Sequence, residues 1–190
     1  WGTGLSQAEL CAVAGHVGSD VAFPVLGGTA IGRGRGEQLT PAPVATATYH
    51  WVLALADGHL STPRVFRELD RQRAGHSDRK VAEPELSAEL MAALSAGDPA
   101  RLGAALSNDL QEPALALFPA LRKALEVGRE AGARGSLVSG SGPTCLFLAD
   151  GAKQAVELAA ALSSAGVCRG ADTAIGGPVP GASVVTSETC

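Results

Sequence analysis

Long apolar runs are the first thing this sequence lacks. Every apolar run is broken by glycine, proline or a charged residue well short of the roughly 18 residues that a membrane-spanning helix needs. The opening residues, WGTGLSQAEL, also lack the basic region and apolar core of a signal peptide. We therefore predict no membrane partner and a cytoplasmic location.

An excess of positive charge is also missing. Fifteen Lys and Arg residues stand against nineteen Asp and Glu residues, which gives a formal net charge of −4. A protein that binds a nucleic-acid backbone needs a basic surface, so we predict no nucleic-acid partner. A hydrophobic content of 46% with only 18% charged residues is typical of a globular protein.

Metal-ligand spacing is the third absence. No two cysteines form a C-x-x-C pair, and the four histidines are scattered, so zinc, a disulfide framework and any other protein-bound metal site are not predicted. Widely spaced thiols agree with a reducing compartment, and the apolar neighbours of one of them, Cys145, predict that it is buried. The cysteines are Cys11, Cys145, Cys168 and Cys190.

The pattern that is present predicts an α+β fold, with helices on one face of a small, mainly antiparallel sheet. Ser6 and Glu9 form a capping-box pattern that predicts the first helix. The predicted strands span residues 29–33, 37–39, 49–56, 136–139, 144–149 and 167–175. The predicted helices span residues 6–16, 85–96, 99–106, 112–131 with a bend at Pro119, and 151–166, with another starting at Ser61 or Thr62. Residues 75–85 are predicted to form a polar loop, and those from 176 onward a Gly/Pro-rich tail.

Three short segments could carry chemistry. Gly140, Ser141 and Gly142 lie between two apolar runs, as a hairpin turn or as a small-residue loop beside a phosphate. No G-K-[ST] follows them, so this is not a Walker loop. Asp20, after a Gly-Ser turn, is either a turn aspartate or an acid-base group. Thr62 and Phe66, four residues apart, share a helix face, where Phe66 either fills the core or stacks on a flat ring.

The order in which these segments occur is more informative than any one of them alone. GSDVAF, GGTAIGRGRGEQL, STPRVF, SNDLQEP and SGSGPTC occur in this order. The series resembles the C-terminal two-thirds of the 4-diphosphocytidyl-2-C-methyl-D-erythritol kinases, a family within the galactokinase, homoserine kinase, mevalonate kinase and phosphomevalonate kinase (GHMP) superfamily. SGSGPTC is similar to the third motif of the superfamily, and GVCR and GPVPGA in the tail resemble actinobacterial members.

The resemblance implies a role for each segment. Asp20 falls at the catalytic aspartate of the family, although Ala22 replaces the proline that often follows there. Thr62 and Phe66 fall in the substrate helix, where the aromatic ring stacks on cytosine. Gly140, Ser141 and Gly142 fall in the glycine loop beside the phosphate-transfer site. The implied reaction is transfer of a phosphoryl group from ATP, with Mg²⁺, to a hydroxyl of the cytidine-diphosphate-linked methylerythritol.

The resemblance also implies two domains. Residues 1–48 correspond to the incomplete end of the N-terminal nucleotide-binding domain, of the ribosomal S5 domain 2-like type, and residues 49–190 to the C-terminal GHMP kinase domain. The phosphate loop and a lysine of the family correspond to positions before Trp1. We therefore expect the 190-residue chain alone to be inactive. The alternatives are a superfamily kinase for another small alcohol, or a non-catalytic C-terminal module.

Overall fold

The computed structural model describes residues 2–45, 47–74, 84–176 and 179–183. The chain forms two compact units, one made from the described residues of Trp1–Ala47 and Gly177–Cys190, and one from those of Thr48–Gly176. Among the described residues, no helix is both long enough and apolar enough to cross a membrane. Most of the polar loop predicted at residues 75–85 lies outside the described residues.

The first unit is built from two helices and a hairpin. Ser6 caps the first helix as its pattern predicts, because its side chain accepts from the Glu9 N–H while the Glu9 carboxylate accepts from the Ser6 N–H. The end of the chain also contributes, since the Gly28 N–H donates to the Val179 carbonyl at 2.8 Å. In order, the elements are α1 Gln7–Val17, α2 Ala22–Leu26, β1 Ala30–Arg33 and β2 Gln38–Pro41, with β1 and β2 antiparallel.

The second unit contains one four-stranded antiparallel sheet. The order of its strands is β4-β5-β3-β6, so β4 and β6 lie at the two edges. β3 lies next to both β5 and β6, with Val52 opposite Phe147 and Thr173. The strands are β3 Tyr49–Leu55, β4 Gly135–Val138, β5 Cys145–Ala149 and β6 Gly170–Gly176.

Helices cover this sheet. Most pack against the face that presents Val52 and Phe147, where they bury the larger core cluster. Leu148, which points to the opposite face, packs with Ala93 and Leu102 of two short helices in a smaller cluster. The helices are α3 Thr62–Ala74, α4 Ala88–Ala96, α5 Pro99–Ala105, α6 Gln111–Leu117, α7 Ala120–Glu130 and α8 Ala152–Ser164.

The predicted α+β class and mainly antiparallel sheet are therefore confirmed. The prediction placed helices on one face, and the larger core lies on one face; α4 and α5 add a smaller contact on the other.

One helix prediction was wrong. Residues 112–131 form two helices, α6 and α7, because Phe118 leaves the helical conformation, with φ −139° and ψ 76°. The next residue, Pro119, disfavours a helical backbone at the position before it.

A close approach of helix and sheet fixes α7 on β5. A Cβ atom at Gly128 of α7 would overlap the ring of Phe147, which is fully buried. Only glycine lets the helix backbone lie this near the ring. The hairpin β4–β5, and with it the loop that joins these strands, is thus held against the helical layer.

Candidate functional site

The loop that joins β4 to β5 is a tight turn built on glycine. The Ser139 N–H donates to the Thr144 carbonyl and the Gly142 N–H to the Ser139 carbonyl, each at 2.8 Å. Gly140 and Gly142 adopt φ values of +53° and +76°, which side chains disfavour. We call residues 139–144 the glycine loop. The hairpin predicted from its flanking strands is confirmed.

The space around Gly142 adds a second requirement for glycine. A Cβ atom there would lie 2.9 Å from Cγ1 of Val138 and 3.3 Å from Cδ1 of Leu60. Leu60 belongs to the segment just before α3. The glycine loop therefore packs closely against the start of the helix that carries Thr62 and Phe66.

A direct hydrogen bond joins two of the predicted site residues. Oγ1 of Thr62, the first residue of α3, lies 2.8 Å from Oγ of Ser141, although the two residues are 79 positions apart in sequence. The structure thus brings the start of the expected substrate helix together with the expected glycine loop.

Phe66 lies one turn beyond Thr62 on the same helix. Its side chain is 50% exposed, whereas that of its neighbour Val65 is fully buried. The face of α3 that enters the core is therefore the Val65 face, and the ring of Phe66 is available to a ligand. Its stacking role stays a prediction.

Asp20 lies in the first unit, in the turn between α1 and α2. The Val21 N–H donates to the Gly18 carbonyl at 3.2 Å and closes this turn. Asp20 itself is exposed and directly precedes the residues that open α2. Its carboxylate is therefore accessible to a substrate, and its catalytic role stays a prediction.

Two residues that support the glycine loop were missed by residue-level analysis. Nδ2 of Asn108 donates to the carbonyls of Val138 and Gly140 at 2.7 and 2.8 Å. Oε1 of Gln111 accepts from the Val138 N–H at 3.1 Å. Both lie in the segment SNDLQEP, which contributes to the family resemblance but carries no local pattern that predicts a contact with the loop.

On α3, the carboxylate of Glu68 accepts hydrogen bonds from two neighbouring side chains, Arg71 and Gln72. Glu68 accepts two hydrogen bonds from the guanidinium of Arg71, at 2.6 and 2.7 Å, and one from Nε2 of Gln72 at 2.9 Å. The Arg71 bonds, followed by that of Gln72, lower the pKa of Glu68 to about 2. Glu68 is therefore ionised at neutral pH and its charge is compensated within the helix.

The thiol at the end of the glycine loop is chemically inert. Burial, with a smaller contribution from Cys168, raises the pKa of Cys145 to about 12. A neutral buried thiol is not a nucleophile at neutral pH. The predicted burial of Cys145 is confirmed, and its place in the core is a packing role. Within the described part of the chain, no group of three or more His, Cys, Asp or Glu residues could hold a metal ion.

Comparison with known proteins identifies the family. Residues 90–168 match the family model described as GHMP kinases C terminal. The 4-diphosphocytidyl-2-C-methyl-D-erythritol kinase of Thermobifida fusca (strain YX) is 58% identical to this chain, over 97% of the chain and 58% of its own length. Residues 90–168 therefore belong to the GHMP kinase C-terminal family. The enzyme of the same name from Nocardia farcinica (strain IFM 10152) is 52% identical, over 100% of this chain and 60% of its own length.

Solved structures agree with this GHMP kinase assignment. A crystal structure of 4-(cytidine 5'-diphospho)-2C-methyl-D-erythritol kinase has a TM-score of 0.70 at 31% identity, and the match covers 88% of this chain and 57% of that one. A crystal structure of L. major mevalonate kinase has a TM-score of 0.69 at 16% identity, and the match covers 93% of this chain and 60% of that one. At this identity the similarity shows a shared fold alone. The resemblance to the actinobacterial enzymes is confirmed, and the chain spans about three fifths of the length of the curated relatives it matches.

Proposed function

We propose that the full-length protein containing this chain transfers the γ-phosphoryl group of ATP to a hydroxyl of 4-diphosphocytidyl-2-C-methyl-D-erythritol, in the non-mevalonate synthesis of isoprenoid precursors. A shared fold does not select one substrate within a superfamily of kinases. The proposal is supported above all by 50–58% identity to proteins that carry this one enzyme name, over 97–100% of the chain.

Asp20 is the proposed catalytic residue. As the oxygen of the substrate hydroxyl bonds to the γ-phosphorus and ADP leaves, the hydroxyl proton passes to the Asp20 carboxylate. An exposed carboxylate in a short turn is accessible to such a hydroxyl. Turnover then returns the proton to solvent.

Thr62 and Phe66 are the proposed substrate contacts. A half-exposed aromatic ring offers a face on which cytosine can stack. The Thr62 hydroxyl, bonded to Ser141, lies one helical turn from that ring and can contact the rest of the substrate. In this proposal Gly140, Ser141 and Gly142 pack beside the phosphoryl-transfer site, where their small size keeps the loop close to α3.

ATP and Mg²⁺ are the proposed cofactors. Mg²⁺ is commonly held largely by substrate phosphates and water, and we assign no residue of this chain as its ligand. Mg²⁺ supplies charge compensation at the transferring phosphoryl group. We further propose that residues 1–48 are the end of a nucleotide-binding domain and residues 49–190 the C-terminal GHMP kinase domain, although the described residues of Gly177–Cys190 lie in the first compact unit and not in the second.

A substrate screen on the full-length protein tests the proposal. ADP release is measured with ATP, Mg²⁺ and each of three alcohols: the cytidine-linked methylerythritol, homoserine and mevalonate. We expect turnover with the first and none above background with the other two. Turnover with homoserine or mevalonate alone would establish a kinase of another small alcohol, and no turnover with any of them would refute the proposed activity.

Substitution of Asp20 by Asn tests the catalytic assignment. The change keeps the size of the side chain but removes its basicity, so we expect kcat to fall by roughly a hundredfold or more, with the KM for the cytidine substrate nearly unchanged. Asp57→Asn, a change at another exposed aspartate, is the control and should leave kcat near normal. Near-normal kcat in Asp20→Asn would remove Asp20 from the chemistry.

A further inference from the structure

The outer backbone groups of β4 are bound by side chains at the point where the glycine loop begins. Among the described strands, β4 lies at an edge and pairs with β5 alone, so its groups that point away from β5 have no partner among those strands. At Val138, the last residue of β4, the N–H donates to Oε1 of Gln111 and the carbonyl accepts from Nδ2 of Asn108. Two side chains thus take the place of a neighbouring strand.

Asn108 forms a hydrogen bond with the glycine loop in addition to its bond with β4. The same Nδ2 that binds Val138 donates to the carbonyl of Gly140 at 2.8 Å. Oδ1 accepts from the Leu110 N–H at 3.0 Å, so the amide is anchored at its other end to the start of α6. Both amide protons point at carbonyl oxygens and the amide oxygen at an N–H, so the amide fits in one orientation only.

We propose that Asn108 is a positioning residue for phosphoryl transfer. By holding Val138 and Gly140 on one amide group, it fixes the conformation of the glycine loop and keeps Ser141 against Thr62. This inference rests on the proposed function, because the loop matters for catalysis only if it lies beside the transferred phosphoryl group. A displacement of about 1 Å in such a site is enough to lower a rate about a hundredfold.

The test compares two substitutions with the same change in atoms and charge. Asn108→Asp and Gln111→Glu each replace an amide nitrogen by oxygen and add one negative charge. In Asn108→Asp the two donated hydrogen bonds are lost and oxygen faces two carbonyls. In Gln111→Glu the acceptor for the Val138 N–H is retained.

We expect Asn108→Asp in the full-length protein to lower kcat about tenfold to a hundredfold, with the KM for the cytidine substrate within about threefold, because Phe66 lies on α3 and not on the loop. Gln111→Glu should keep kcat within about twofold. A kcat within twofold in Asn108→Asp, or an equal loss in both variants, would overturn the proposal. If Asn108→Asp does not fold, Asn108→Ser, whose short hydroxyl cannot bridge both carbonyls, is judged by the same outcomes.

A second measurement is independent of activity. Amide hydrogen exchange at Ser139 and Gly142, whose N–H groups close the loop, should be faster in Asn108→Asp than in Gln111→Glu or the unchanged protein. Equal exchange in all three would overturn the positioning role. If the unchanged protein phosphorylates none of the tested alcohols, the proposed function fails, while the exchange rates still report whether Asn108 holds the loop.

Discussion

Val65 and Phe66 are adjacent residues with opposite environments. Val65 is fully buried in the main core of the second unit, whereas Phe66 keeps half of its surface exposed. The ring of Phe66 lies at the surface, one turn beyond the Thr62–Ser141 hydrogen bond, where a ligand can reach it. The two residues therefore form a matched pair for separating binding from stability.

Phe66→Leu should weaken binding of the cytidine substrate with little loss of stability. Stacking of a base on an aromatic ring is worth about 1–3 kcal/mol, so we expect the KM for this substrate to rise about five- to a hundredfold while the KM for ATP is unchanged. Steady-state kinetics and thermal melting of the full-length protein measure both quantities.

Val65→Ala is the control for Phe66→Leu and should behave in the opposite way. Burying a valine side chain is worth about 1.5–3 kcal/mol, so this variant should melt at a lower temperature with a normal KM. If Phe66→Leu lowered the melting temperature and left the KM unchanged, Phe66 would be a core residue.

At the scale of the element, α3 carries its own charge compensation. Its sequence supplies Glu68 with Arg71 and Gln72 three and four residues later, on the same side of the helix. The side chain of Glu68 is only 12% exposed, and its 2.6 Å contact with Arg71 is shorter than that of Arg134 with Asp150, at 2.8 Å, or of Arg122 with Glu112, at 3.0 Å.

Glu68→Gln should reveal this contribution through its pH dependence. The pKa of Glu68 is lowered from 4.5 to about 2 on folding, so the stability it provides is complete above pH 4.5 and is lost as the pH falls towards 2. We expect the parent protein to melt above Glu68→Gln at pH 7, and the difference to shrink at successively lower pH below 4.5.

Glu157→Gln on α8 is the matched control for Glu68→Gln. Its carboxylate makes one longer contact, 3.7 Å from Nζ of Lys153, and both side chains are well exposed. This variant should melt close to the parent protein at pH 7. A difference for Glu68→Gln that stayed constant from pH 7 to pH 3 would contradict the assigned role of the carboxylate.

Local signals were enough to predict most elements. The capping box at Ser6 and Glu9 places the start of α1, and the apolar run that begins at Tyr49 becomes β3. The division of residues 112–131 into two helices was not predicted, because the sequence allowed either a bend or a break at Pro119. The pairing of residues 179–183 with the first unit also has no local signal, since its partners lie about 150 residues earlier.

At the scale of the whole molecule, the apolar core is unevenly divided. Of the described apolar residues that are buried, only Ala14 and Ala22 belong to the first unit, and both main clusters lie in the second. The first unit instead exposes several large apolar side chains, which are Leu5, Leu10, Val13, Val17, Val21, Phe23 and Val179. We therefore expect the second unit to fold by itself.

Residues 48–176 expressed alone should give a cooperative thermal transition, followed by the fluorescence of Trp51 in β3. Residues 1–47 expressed alone should show no such transition by circular dichroism, because two buried alanines cannot offset the entropy of ordering the chain. A non-cooperative melt of residues 48–176 would mean that their core depends on the rest of the protein.

The candidate site could be predicted only in parts. The sequence alone indicates that Thr62 and Phe66 share a helix face and that Gly140 and Gly142 make a turn. It does not indicate that Thr62 meets Ser141 or that Asn108 binds the same turn, because those contacts join segments 79 and about 30 residues apart. Such contacts depend on the packing of α6 against α3 and β4, which local patterns do not encode.

The side-chain cover at the end of β4 also bears on self-association. An edge strand with free N–H and carbonyl groups can pair with a strand from another molecule, and this is a common start of aggregation. At Val138 both groups are already bound, one by Gln111 and one by Asn108. Because Asn108 and Gln111 already bind the N–H and carbonyl of Val138, a strand from another molecule cannot form hydrogen bonds with these two groups at the end of β4.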